Sequence, residues 1–138
     1  MLSISELKSK WDKEKNSYIK KEIGDGVQKF VKEVLKSSEI FDLKEGLNST
    51  LLGKRKNEFK EEEAKKASRR ADVVIFINPE IIIPMEIERF QNIQAGERQI
   101  LQYQLDWDKR YGILTDGFVW RFYNNNRPTA NYPYLRYN

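Results

Sequence analysis

Asp72, Glu86 and Glu88 are the residues of this chain whose types and spacing can do chemistry. Asp72 heads one apolar run, and Glu86 and Glu88 close a second, two residues apart. The strand period of two therefore sends both glutamate side chains to one face. Like charges on one face of a segment rich in Ile and Val are costly unless a cation compensates them. A divalent-metal site would explain the pair; solvated acids on the polar face of an edge strand would too, and the pair alone does not choose between them. The chain contains no histidine and no cysteine. Disulfides, Cys/His zinc sites and His-based triads are thereby excluded, and carboxylates remain as the catalytic groups. An all-oxygen ligand set suits a hard ion, Mg²⁺, with Mn²⁺ as its replacement.

The elements that must position these acids follow from the hydrophobic pattern. β-Branched content predicts strands over 71–77 and 81–88, joined by a turn at Asn78-Pro79-Glu80. A helix is predicted from near Ala95, with Ile93, Ile100, Leu101 and Leu105 as its buried stripe. Gln99 and Tyr103, four residues apart, share one flank of that stripe. From that flank they can face the carboxylates or a DNA backbone; the alternative is that Tyr103 completes the core edge and Gln99 is solvated. Strand alternation puts Arg89 on the face opposite Glu88. Further on, 111–115 and 118–123 are predicted strands around Asp116-Gly117, a pair suited to a two-residue hairpin turn that needs positive φ.

Upstream, residues 4–15 read as an amphipathic helix facing inward through Leu7 and Trp11. A longer helix is predicted over 17–37, with Ile19, Ile23, Val27, Phe30, Val31, Val34 and Leu35 at helical spacing and Gly24 and Gly26 weakening its interior. Residues 46–52 are the expected first strand. The charged segment 54–69 has only Phe59, Ala64 and Ala67 to bury, so it is either an exposed helix laced by Glu/Lys pairs or an excursion between strands. From 124 onward periodicity ceases, as in a linker or a packed arm. A length of 138 residues is one domain's worth, expected over 1–123 with 124–138 as a tail or the start of a linker. No apolar run approaches membrane-spanning length, and the first residues are too polar for a secretory signal. A net charge of +4 suits a polyanionic partner.

Asp72, the apolar strand after it, the acid-x-acid of Glu86 and Glu88 and the Gln-x-x-x-Tyr of Gln99 and Tyr103 together resemble the PD-(D/E)XK nuclease superfamily. Leu114-Thr115-Asp116-Gly117, with Trp120 and Tyr123 after it, is similar to a segment of the nuclease domains of restriction-modification proteins. The resemblance covers about residues 17–123. Two positions depart from the pattern: Ala71 stands where proline is usual, and Glu88 stands where the family has a lysine that orients or deprotonates the attacking water. Some restriction nucleases of the superfamily use acid-x-acid.

The resemblance implies an α/β fold, a restriction-endonuclease-like mixed sheet in α-β-β-β-α-β order with a C-terminal hairpin, flanked by helices. It implies Mg²⁺-dependent hydrolysis of DNA, with Asp72, Glu86, Glu88 and Gln99 as catalytic residues. Asp72, Glu86, the Ile87 carbonyl and Glu22 of the helix expected over 17–37 are the implied metal ligands, and Tyr103 and Gln102 the supporting residues. If 54–69 closes over DNA, Lys54, Arg55, Lys56, Arg69 and Arg70 contact its phosphates. DNA is the implied partner, in the cytoplasm, with a homodimer or a fusion to methyltransferase or specificity modules as the expected assembly. A nuclease-fold module that does not cut, used for DNA binding or assembly, is the alternative that Glu88 keeps open.

Overall fold

In the computed structural model, residues 1–20, 26–46, 56–61, 72–106, 109–124 and 127–133 are described. Helix α1, Ile4–Glu14, starts at a capping box: the Ser3 hydroxyl accepts from the Glu6 N–H at 3.1 Å and the Glu6 carboxylate accepts from the Ser3 N–H at 3.0 Å. Two otherwise unsatisfied donors are thus matched reciprocally, and α1 turns Leu7 and Trp11 inward. A 3₁₀ turn, Lys15–Ile19, follows, and α2 runs over Val27–Lys36. The long helix expected over 17–37 is therefore not continuous at its start. Ile19, expected on the buried stripe, is 38% exposed, because the 3₁₀ turn breaks the 3.6-residue phase that would have aimed it inward. Gly26 is the N-cap of α2 rather than an interior residue. Val27, Phe30, Val31, Val34 and Leu35 form the expected apolar face.

Among the described residues, seven strands make one mixed sheet in sequence order: β1 Lys44–Glu45, β2 Glu58–Glu61, β3 Val73–Phe76, β4 Ile82–Ile87, β5 Tyr111–Thr115, β6 Val119–Asn124 and β7 Arg127–Pro133. The β1/β2 and β4/β5 pairs are parallel; the others are antiparallel. Parallel neighbours need a crossover, and α3, Glu97–Asp106, supplies it between β4 and β5. This is the mixed α/β sheet flanked by helices that the sequence led us to expect.

Three boundaries differ from expectation. Within 54–69 the described residues, 56–61, hold strand β2 rather than an exposed helix: Phe59 is fully buried, and pairing with both β1 and β3 outweighs the helix-favouring composition. Of the two readings for the stretch from 124, linker or packed arm, residues 127–133 take a packed form, hydrogen-bonded along β6 as a further strand. The described part of the first strand is Lys44–Glu45, ahead of 46–52, and 47–52 lie outside the described residues.

Strand alternation divides the core between the two faces of the sheet. Phe59, Val73, Ile75, Met85, Ile87, Ile113 and Trp120 pack with α1 and α2, while Val74, Phe76, Leu114 and Tyr123 pack with Ile93, Ile100 and Tyr103. Lys32 of α2 bridges Glu61 at 2.8 Å and Glu45 at 3.1 Å, fastening the helix to the β1/β2 edge. No helix among the described residues is long and apolar enough to cross a membrane.

Candidate active site

The last β3/β4 pair on this side of the ladder is Val73↔Met85, so continuing the antiparallel register by one residue sets Asp72 opposite Glu86. Glu88 lies two residues further along the same chain. All three acids therefore fall on the α3 face of the sheet. The register is reinforced locally: Asp72 Oδ2 accepts the Ile87 N–H at 2.8 Å, and the Glu88 N–H donates to the Thr115 carbonyl at 2.9 Å. A strand residue's N–H and C=O leave on the same edge, so the Ile87 carbonyl is presented toward the Asp72 side too.

Above the acids runs the 3₁₀ turn Ile93–Gly96 and then α3. Gly96 makes that approach possible. A Cβ there would lie 2.5 Å from Leu114 Cδ1, 3.0 Å from Glu88 Cγ and 3.1 Å from Glu86 Cγ. The two glutamate stems thus lie against one glycine, as the same-face reading requires.

Burial, then the charge of Asp72 and the contact with Glu88, push the Glu86 carboxyl far above the usual carboxylate range. Its Oε1 is buried and has no hydrogen-bond partner. Burial also raises Glu88; contact with Glu86 and the charge of Arg89 act in the opposite direction, and Asp72 adds to the rise. Arg89 follows Glu88 directly, beyond the end of β4 at Ile87, and its charge acts on the Glu88 carboxyl. The Tyr103 phenol is raised by burial and by the Glu86 charge, while its hydrogen bond with Gln99 works against the rise. Gln99, Tyr103 and Glu86 are therefore linked from α3 down to β4.

Of the residues singled out from sequence, Asp72, Glu86, Ile87, Glu88, Gln99 and Tyr103 come together here. Gln102 stands on the exposed side of α3. Lys56 is exposed and precedes Glu58, which pairs with Phe76, so it lies beyond the end of β3 remote from Asp72. Glu22, Lys54, Arg55, Arg69 and Arg70 lie outside the described residues. Leu105, expected in the buried stripe of α3, is 63% exposed, because the sheet meets α3 through Ile100 and Tyr103 instead. Among the described residues, no group of three or more acidic side chains stands ready-made to hold a metal ion.

Two site-forming residues gave little sequence signal. Gly96 looks like any glycine at a helix start. Asp116, expected only as a turn residue, is 3% exposed and holds the loop after β4 in place: Oδ2 accepts the Gln91 N–H at 3.1 Å, while Oδ1 accepts from Phe118 and Val119 at 3.0 and 2.8 Å. Only Gly117 of the expected Asp116-Gly117 pair has positive φ, at 92°, because the two-residue loop is Gly117-Phe118, closed by the Asp116 N–H to Val119 carbonyl bond.

No curated protein and no solved structure matches this chain. The family described as Type I restriction enzyme R protein N terminus matches residues 3–131. With nearly the whole length covered and a mixed α/β sheet in place, the chain belongs to the family of Type I restriction enzyme R protein N-terminal regions.

Proposed function

We propose that this chain is a metal-dependent endonuclease unit that hydrolyses DNA phosphodiester bonds in a restriction-modification system, working with the other subunits of such an enzyme. The observation that supports the reading is the convergence of Asp72, Glu86 and Glu88 on the α3 face around a buried Glu86 Oε1 that lacks a partner. An acid oxygen buried without a donor, beside two more acids, fits a cation better than it fits a core.

Asp72, Glu86 and the Ile87 carbonyl would hold Mg²⁺ or Mn²⁺, with Glu88 completing the shell or orienting the water. Such an ion, when bound, polarises the scissile phosphate and lowers the pKa of the attacking water. The chain's own residues do the positioning. Tyr103 fixes the Glu86 carboxyl, and Gln99 holds Tyr103 and faces the phosphate. Glu88, partly buried and beside Arg89, would orient the attacking water.

Plasmid nicking in Mg²⁺ and Mn²⁺ tests this. Asp72→Asn keeps an acceptor for the Ile87 N–H and removes the charge, and Glu86→Gln is isosteric; both should abolish cutting while the fold persists. Undiminished cutting by either would remove the mechanism. A second reading, a module that does not cut, is favoured by Glu88 standing where the nuclease pattern has lysine. It predicts DNA binding with no heat of Mg²⁺ binding in calorimetry.

A further inference from the structure

Arg121 lies on the α3 face in the same lateral row as the acids. The pairs Glu86↔Leu114 and Leu114↔Arg121 set Glu86, Leu114 and Arg121 side by side across β4, β5 and β6. At about 4.8 Å per strand, the Arg121 backbone is about 10 Å from that of Glu86. The Arg121 side chain is 21% exposed, and its guanidinium sits 3.0 Å from Oε1 of Glu97, the first residue of α3, whose own side chain is 48% exposed. A cation is thus stationed beside a cluster of acids and parked on a solvent-facing carboxylate.

Its planar fork of donors suits a phosphate. Successive phosphates of one DNA strand advance about 3.4 Å along the axis. Because that strand also winds about the axis, its phosphates are spaced more widely through space than their rise, so a strand laid across β4, β5 and β6 with one phosphate at Glu86 presents another near Arg121 about one or two nucleotides away. We propose that Arg121 is a phosphate-binding residue of the DNA-docking face, held by Glu97 in the free protein and handed to the DNA backbone when duplex arrives. The proposal rests on the nuclease reading above and adds to it where the substrate lies. Glu97 and Tyr123 both hold Arg121 in the free protein, and removing Glu97 takes away the carboxylate that competes with DNA phosphate for the guanidinium.

Fluorescence anisotropy with a short labelled duplex in EDTA, across a salt series, tests this without interference from cutting. Arg121→Gln should weaken binding about three- to tenfold and reduce the slope of log affinity on log salt by about one. Arg121→Lys should recover part of both losses. Glu97→Gln should tighten binding by a similar factor in the native background and have no effect beside Arg121→Gln. Glu97 is exposed and Arg121 is partly exposed, so the ion pair contributes little to stability; a urea melt of each variant checks that it folds as the native chain does. Native affinity and slope in Arg121→Gln would overturn the proposal, as would Glu97→Gln tightening binding when Arg121 is already gone. Calorimetric Mg²⁺ binding by Arg121→Gln separates the two readings. Metal uptake retained with unchanged DNA affinity overturns the phosphate contact alone, whereas Arg121-dependent DNA binding with no metal uptake by the native chain overturns the nuclease reading alone.

Discussion

Replacing Glu86 by Gln should stabilise the metal-free protein while removing its response to metal. The native carboxyl is buried beside Asp72 and Glu88, and its pKa is raised in the fold. A raised carboxyl favours its neutral form, so its contribution to stability is complete below the unfolded carboxylate pKa and is lost as pH rises toward the folded value. In EDTA the native protein should therefore weaken between about pH 5 and about pH 8. With a folded pKa of about 10, Glu86 stays neutral in the fold across this range while the unfolded carboxyl ionises above about 4.5. Each pH unit of that difference is worth about 1.4 kcal/mol; Glu86 is only partly buried, so a discounted ~2 kcal/mol is the expected gain for Glu86→Gln at the higher pH. The gain corresponds to roughly 6–10 °C in Tm for a domain of this size. At the lower pH, where the unfolded carboxyl approaches its own pKa and is increasingly protonated as well, the difference should nearly vanish. Urea melts of both proteins at both pH values, with and without Mg²⁺, measure it. A variant destabilised equally at both pH values would refute the idea that the acids strain one another.

Mg²⁺ at a hundredfold excess over its Kd should stabilise the native protein by about 2.7 kcal/mol, read as a Tm shift that Asp72→Asn abolishes. Gly96→Ala should cost about 1–3 kcal/mol by overpacking against Leu114, Glu86 and Glu88, and should weaken Mg²⁺ binding in calorimetry along with stability. Tyr103→Phe keeps the ring in the core and removes the hydroxyl beside Glu86 and Gln99; it should lower cleavage rates about tenfold, or about 1.4 kcal/mol, with a Tm within a few degrees of native. Gly117→Ala, at φ 92° and 2.8 Å from Trp11 Cζ3, should cost about 1–3 kcal/mol in a urea melt.

The acids were legible because strand periodicity is local. Two glutamates two residues apart on an apolar strand share a face whatever the rest of the chain does, and the Asn78-Pro79-Glu80 turn sets how far back along β3 the opposing residue lies. Gln99 and Tyr103 were legible for the same reason at helical spacing. The row that joins Glu86 to Arg121 was not, because it depends on the parallel register of β4 against β5, which a crossover helix sets and which no short-range pattern records. β2 was misread because its one buried side chain, Phe59, gives too short an alternation to compete with a composition rich in helix formers. Its strand form comes from the neighbours on either side.

The first helix is connected to the acids at the end of β4 through the turn between β5 and β6. Trp11 rests against Gly117 and stacks with Phe118, 5.8 Å between ring centres, and Asp116, next along, holds the Gln91 amide three residues beyond Glu88. Loosening α1 would slacken the turn, then the exit of β4, and finally the aim of the Glu88 carboxylate. Substitutions in residues 4–14 should thus register as altered metal affinity before they register as unfolding, a remote dependence that no inventory of site residues would reveal.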